Sequence, residues 1–320
     1  VVVAAAGAAG CALGPRSAAA AEAPRPFTIV ALPDTQYYAA DHPDIFEAQA
    51  RWILAARDDE DIALVVHEGD IVDRDVPPQW ERAAASLHRL DGAVPYVLSS
   101  GNHDYLDVGD RMSRDTLIDR YFPVAGFERR SWFRGTYETG HVENSYAVVE
   151  MGGGRWLVLS LEFGPRDAVL AWADGIARRY ADLPAILLTH AYLDADGRRY
   201  DQARGGQLWN PHRFLPGAAP GDANDGEEMW RKLVSRNANI RFVLCGHDLG
   251  DGVGRLTSVR ADGSKVHQLL ANYQMGELGG AGYLRLMRFD PARGRVSVRT
   301  YSPYLDRFKT DPDNAFELDY

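Results

Sequence analysis

The chain has 320 residues, 46% hydrophobic and 25% charged, ordinary proportions for a globular protein with ample apolar material for a core. Its formal net charge of −10 repels polyanions, so nucleic acid is not expected as a partner. A small phosphate ester can still bind where a local cation, such as a metal ion, overrides that field.

Taken from the start, residues 1–23 stand apart. Val1 to Leu13 is almost all Val, Ala and Gly, and an Ala-rich stretch follows, ending Ala21-Glu22-Ala23. An apolar segment before a small-x-small site reads as the remnant of an export signal, removed or disordered in the mature chain. The protein is therefore expected to be exported: secreted, periplasmic or at the cell surface. Cys11, preceded by Ala9-Gly10, makes lipid anchoring an alternative. The apolar run is too short and Ala-rich for a membrane span, and no later stretch resembles one, so no transmembrane span is expected.

Residues 24–320 read as a single domain. Phe27 to Leu32 predicts a buried strand, Ile45 to Arg57 a helix with Phe46, Ile53 and Leu54 on one side, and Ile62 to Val66 a second strand. Trp80 to Leu90 predicts a helix behind Pro77-Pro78, and Pro95 to Leu98 a third strand. Ser145 to Val149 and Arg155 to Leu161 predict neighbouring strands joined by Gly152-Gly153-Gly154. A helix over Asp167 to Tyr180, a strand over Ala185 to Leu188, a helix over Glu227 to Arg236 and a strand over Ile240 to Cys245 follow. Arg255 to Arg260, Val266 to Ala271, Tyr283 to Phe289 and Arg295 to Tyr301 are strand-like. Alternation thus gives way to a β-rich end, and the expected architecture is two sheets face to face with helices outside. Tyr105 to Asn144 and Tyr192 to Asp225 read as long loops. Cys245 lies in an apolar run and reads as an inert core thiol, without an internal disulfide.

The polar residues sit at the ends of these strands. Asp34 follows the first; Asp70 and Asp73, in Gly69-Asp-Ile-Val-Asp73, follow the second; Asn102, His103 and Asp104 follow the third. His190 follows the Ala185–Leu188 strand and His247 follows Ile240–Cys245. In an α/β sheet, carboxyl ends of strands converge on one crevice. Oxygen and nitrogen ligands without Cys suit Mn, Fe, Zn or Mg. The glycines before Asp70, Asn102 and His247 allow tight turns that aim these side chains over the sheet.

The series Asp34…Gly69-Asp70-x-x-Asp73…Gly101-Asn102-His103-Asp104…His190…Gly246-His247 resembles the calcineurin-like metallophosphoesterases, over about Ile29 to Asp248. The resemblance implies a four-layer α/β/β/α sandwich of two mixed β-sheets flanked by helices. It implies two divalent metals bridged by Asp70, one completed by Asn102, His190 and His247. It also implies that His103 acts on the leaving-group oxygen with Asp104 as its orienter, while a metal-bridging hydroxide attacks phosphorus in line. Charge positioned on both sides of phosphorus is what phosphoryl transfer requires.

Two positions depart from the family pattern. Gln36 stands where the family has the His of Asp-x-His, and Leu249 where it has the second His of Gly-His-x-His. Both belong to the same metal, so one seat is intact and the other retains Asp34 and Asp70, with Gln36 offering an amide oxygen. Such a seat prefers harder ions or stays weakly filled. Asp248 and Asp251 are turn residues that could substitute as ligands. Leu32-Pro-Asp-Thr-Gln-Tyr-Tyr38, Leu161 to Asp167 and Asn272-Tyr-Gln274 resemble an exported bacterial branch carrying the Gln variant.

The sequence thus points to a metal-dependent phosphomonoesterase or phosphodiesterase using one or two divalent ions, acting on a small or surface-attached phosphate ester. A one-metal hydrolase, or a catalytically degenerate metal-binding protein on the same scaffold, are the alternatives. His67, three residues before Asp70, reads either as a support for a ligand carboxylate or as a core histidine. Arg198, Arg199, His212, Trp132 and His141 lie in or beside the long loops, and the arginines have the fork geometry for phosphate.

Overall fold

The computed structural model describes residues 24–108, 111–215 and 218–320. The export segment and Cys11 fall outside the described residues. In chain order the strands are β1 (Phe27–Leu32), β2 (Ile62–His67), β3 (Tyr96–Leu98), β4 (Asp107–Val108), β5 (Arg111–Met112), β6 (Phe133–Thr136), β7 (Ser145–Met151) and β8 (Gly154–Ser160). They continue with β9 (Ala185–Leu188), β10 (Ile240–Cys245), β11 (Val253–Val259), β12 (Lys265–Ala271), β13 (Leu284–Asp290), β14 (Arg295–Ser302), β15 (Arg307–Lys309) and β16 (Phe316–Asp319). The helices are α1 (Gln36–Ala40), α2 (Pro43–Ala56), α3 (Pro77–Leu87), α4 (Ile118–Tyr121), α5 (Val124–Phe127), α6 (Asp167–Arg179), α7 (Pro211–Phe214) and α8 (Gly226–Lys232).

Two seven-stranded mixed sheets form the centre, one ordered β15-β14-β13-β1-β2-β3 with β16 also on β14, the other β11-β12-β10-β9-β8-β7-β6. β1, β2 and β3 run parallel, as do β8, β9, β10 and β12; the flanking strands are antiparallel. The central strands are buried on both faces, which is why they read as unbroken apolar runs. Ile29, Ala31, Leu64 and Val66 meet Val158, Ile186, Leu188, Phe242 and Leu244 between the sheets. Val30, Leu32 and Val65 point the other way, against Phe46 and Ile53 of α2 and Trp80 of α3. Leu157, Leu159 and Leu187 pack outward on Leu170 and Ala173 of α6 and Met229 of α8. The result is the α/β/β/α layering that the resemblance implies.

Local chemistry sets the helix starts. Pro43 and Pro77 occupy first-turn positions of α2 and α3, where no amide hydrogen bond is lost. Asp225 and Glu228 close α8 with a reciprocal capping box, each side chain holding the other's amide at 3.0 Å. Several short elements escape the sequence reading: α1, the edge strand β6, and β15 and β16. The β7–β8 turn is also tighter than expected, with Gly152 and Gly153 at positive φ and Gly154 already in β8.

Strand register positions the crevice. Leu32 pairs with His67, and His67 with Leu98, so β1, β2 and β3 end level. Leu188 pairs with both Leu244 and Ser160, so the second sheet ends level too. Ser160 Oγ donates to Leu98 O at 2.7 Å and Ser99 Oγ to Leu161 O at 2.9 Å, lacing the two sheets together at the end where the polar residues emerge.

Candidate metal centre

The turns that leave β1, β2 and β10 are strained at the functional residues. Asp34, Asp70 and His247 adopt left-handed backbone, with φ of 27°, 50° and 77°. For non-glycine residues this costs about 1–3 kcal/mol each and persists only where the surroundings enforce it. Gly101 and Gly246 serve differently from the turn role expected of them. A Cβ on Gly101 would lie 2.1 Å from Asp70 Oδ1, and one on Gly246 would lie 2.1 Å from Asp34 Oδ2. Their bare backbones let the carboxylates lie against the neighbouring loops.

The hydrogen bonds assign the imidazole tautomers. His190 Nδ1 is 2.7 Å from Glu68 O, and His247 Nε2 is 2.7 Å from Trp209 O. A carbonyl only accepts, so each of these ring nitrogens donates. The other two nitrogens, His190 Nε2 and His247 Nδ1, face each other at 3.2 Å. His190 Nε2 is also 3.2 Å from Asp70 Oδ1. Asn102 Oδ1 is buried close by in sequence to His103 and has no hydrogen-bond partner. His103 N donates to Asp70 Oδ1 at 3.0 Å, linking the two loops. With both outward N–H groups committed, the two inward nitrogens crowd each other beside a carboxylate, and a pair of neutral rings there would turn only lone pairs on each other and on Asp70. A cation would resolve that repulsion, so these two imidazoles and the carboxylate fit a divalent metal, and the orphaned buried Asn102 Oδ1 is a donor of the type that completes such a set. Burial and His190 push His247 down to about 3, keeping it in the ligand form.

Charge makes the same demand. Asp34, Glu68, Asp70 and Asp104 are all buried around the crevice. Burial raises Asp34, Glu68 and Asp104 above the usual carboxylate range, and the Asp70 charge adds to this for Asp34 and Asp104. Asp70 itself is held low despite burial, by His190 and His103. Buried carboxylates without counter-charge cost several kcal/mol each, and a divalent ion offsets that cost.

The second seat is poorer. Asp34 receives His247 N on both oxygens, at 3.2 and 3.3 Å, and lies 3.9 Å from His190 Nε2. Gln36 opens α1, fully buried, with neither its Oε1 nor its Nε2 hydrogen-bonded. Asp248 and Asp251 do not replace the missing histidine. Asp248 accepts from Tyr200 OH at 2.5 Å and from Gly250 N, and Asp251 accepts from Val253 N.

His103 sits at the crevice mouth. Its Nδ1 is 2.8 Å from Asp73 O and must donate there, which leaves Nε2 as its free nitrogen. Burial opposes its protonation, but Asp70, the Asp73 carbonyl and the Asp73 and Asp104 carboxylates outweigh that and raise it. The expected orienting role of Asp104 is not what the geometry shows. Its two oxygens accept from Val72 N at 3.0 Å and Gly101 N at 2.8 Å, so it splices the β2 and β3 loops, and the Asp73 carbonyl orients the ring instead. His67 does not support a ligand carboxylate either. Its Nδ1 accepts from Gly69 N at 3.3 Å, so Nε2 donates to Thr35 Oγ1 at 2.8 Å, and that hydroxyl donates to Ile71 O. It braces the turns carrying Asp34 and Asp70.

The loop arginines are committed elsewhere: Arg199 to Glu227, Ser258 and Gln268 with its guanidinium over Trp230, and Arg198 to Asp194 and Asp196. His212 joins the α8 cap through Glu228. Phe163 lies against the His190 and His247 rings and Phe214 against His247, walling that side of the crevice. Phe214 and the carbonyls of Glu68 and Trp209 carry no sequence motif, whereas Phe163 falls inside the Leu161 to Asp167 stretch of the branch resemblance, which gave it no role. Cys245 is buried, unpaired and pushed upward by burial, as a core thiol should be.

Comparison with known proteins agrees. The model of the calcineurin-like phosphoesterase family matches residues 27–251. The chain is 33% identical over 288 residues to the uncharacterized protein YvnB of Bacillus subtilis (strain 168), an alignment covering 87% of this chain and 20% of that protein. The chain therefore spans about a fifth of the length of this curated relative. Among solved structures, the purple acid phosphatase PPD1 of yellow lupin (Lupinus luteus) superposes with a TM-score of 0.54 at 14% identity, covering 93% of this chain and 55% of the other. That likeness is one of fold. With the family match covering well over half the chain, the chain belongs to the calcineurin-like phosphoesterase family.

Proposed function

We propose that this chain hydrolyses a phosphate mono- or diester with divalent metal in the crevice. The observation that supports this most is that His190 Nε2 lies 3.2 Å from both His247 Nδ1 and Asp70 Oδ1, the three residues each offering a ligand atom within 4.8 Å of the others. Asp70, Asn102, His190 and His247 would hold the ion, and Mn, Fe, Zn and Mg suit these donors to different degrees. Bound there, it supplies positive charge to a phosphoryl oxygen and lowers the pKa of water.

The chain's own residues do the rest. His103, fixed through Nδ1, presents Nε2 to the crevice mouth, where a protonated ring gives its proton to the departing alkoxide. Asp104 is a positioning residue that holds the Gly101 amide and thereby the His103 turn. Phe163 keeps water from the rear of the imidazoles. The reaction is assigned to the outside of the cytoplasm on residues 1–23 of the sequence, and the substrate to small or surface-attached esters on the net charge of −10. Unpartnered Gln36 and the Leu at position 249 favour a second reading, a one-metal hydrolase in which only the His190–His247 seat fills.

The test is hydrolysis of a chromogenic monoester and diester by chelated protein, re-supplied singly with Mn, Mg, Zn, Fe or Ca. Turnover restored by metal and lost in Asp70→Asn upholds the proposal. Tight metal binding without turnover on either ester, with any ion, would sink it in favour of a metal-binding protein.

A further inference from the structure

Outside the crevice, Asp119 on α4 and His141 and Glu143 just before β7 bring one ligand atom each within 4.8 Å of one another. We propose that these three side chains form a separate, structural seat for a divalent cation of the zinc type. His141 Nδ1 lies 2.8 Å from Asp119 Oδ2 and 3.9 Å from Glu143 Oε1.

The second observation is Glu143 itself. It is 7% exposed, and its Oε2 is buried without any hydrogen-bond partner. An orphaned buried carboxylate oxygen is costly, and among the described residues only the His141 imidazole lies within ion-pair distance of Glu143. The nearby guanidinium groups are already engaged: Arg166 with Glu138 and Glu162, Arg114 with Glu162 and backbone carbonyls.

Asp119 is prepared for such a role. Its Oδ1 is fixed by Val142 N at 2.8 Å, leaving Oδ2 toward His141. One imidazole and two carboxylates, completed by water, form a zinc-like donor set. The ion would tie α4 to the entry of β7. A third such group, His212, Asp225 and Glu228, offers a contrast. There Asp225 accepts from Glu228 N, Gln202 N and Asn210 Nδ2, so its carboxylate is satisfied within the α8 cap.

The experiment uses the full chain with His190→Ala and His247→Ala to disable the crevice. After chelation and dialysis against zinc, bound metal is measured by atomic emission and affinity by competition with a chromophoric chelator. One equivalent of zinc is expected, with affinity at least about 100-fold weaker after His141→Ala or Glu143→Gln. His141 is exposed, so its substitution leaves folding intact; circular dichroism of both variants verifies this. No zinc on the crevice-disabled chain, or zinc held equally after both substitutions, would overturn the proposal.

Discussion

At the scale of residues, the site works by committing one nitrogen of each histidine to the backbone. His190 and His247 give their outward N–H to carbonyls, which leaves their inward nitrogens for the proposed metal, whereas His103 gives Nδ1–H to Asp73 O, which leaves Nε2 for the proposed leaving group. General acid catalysis of this kind contributes about 10²–10⁴-fold. His103→Ala should therefore slow an alkyl phosphate ester by that factor, and slow a nitrophenyl ester far less, because that leaving group needs no proton. His103 is raised above its ordinary 6.5, so the protonated form persists to higher pH and activity declines as pH rises through the raised value. The pH profile of kcat for the alkyl ester should show that alkaline limb in the parent and lose it in His103→Ala. A second prediction concerns the depleted seat. Gln36 is buried with both amide ends unpartnered, so Gln36→His with Leu249→His supplies two imidazoles beside Asp34. Metal titration should then show a second tight equivalent that the parent lacks.

At the scale of elements, the ligands stand on turns that leave level strand ends, and the turns are braced against each other. Asp104 joins the β2 and β3 loops, Asp34 holds the loop after β10, and the Thr35–His67 pair links the loops after β1 and β2. This bracing offsets the left-handed backbone at Asp34, Asp70 and His247. Gly101→Ala would put a Cβ 2.1 Å from Asp70 Oδ1. It should destabilise the chain by about 1–3 kcal/mol, as overpacking does, and weaken metal binding as Asp70 is displaced. A denaturant melt and a metal titration on the same variant measure both effects. Much at this scale is legible in sequence, because strands buried on both faces leave unbroken apolar runs, and the runs of β1, β2, β3, β9 and β10 are each followed by a polar residue of the crevice. What is not legible is the bracing. The carbonyls of Glu68, Asp73 and Trp209 leave no side-chain signature, and Asp104 carries the same letter whether it orients a histidine or splices two loops. Short α1 and the edge strands β6, β15 and β16 give too few residues for a period to show.

At the scale of the whole molecule, the excess of buried acid sets the response to pH and to metal. Asp34, Glu68, Asp104 and Glu143 have folded values above their unfolded ones. Their contribution to stability is full below the unfolded values and is lost as pH rises through the folded ones. Asp70, held low, has the opposite sense and acts only at more acidic pH. The chelated protein should thus melt at lower temperature near pH 8 than near pH 5, and added divalent metal should remove most of the difference. For Glu143 alone, the rise from 4.5 to about 7 amounts to about 3 kcal/mol, and Glu143→Gln should shrink the loss accordingly. Composition shows the acidic excess but not its burial, since the same carboxylates on a surface would titrate normally.

The proposed hydrolysis requires a cation seated among Asp70, Asn102, His190 and His247. Crystals of the chain soaked in manganese or zinc, with anomalous data at the metal edge, locate it without reference to any substrate. A peak about 2.0–2.3 Å from Asp70 Oδ1, Asn102 Oδ1, His190 Nε2 and His247 Nδ1 is the expected outcome. Crystals saturated with either ion but showing no peak among those four atoms would refute it.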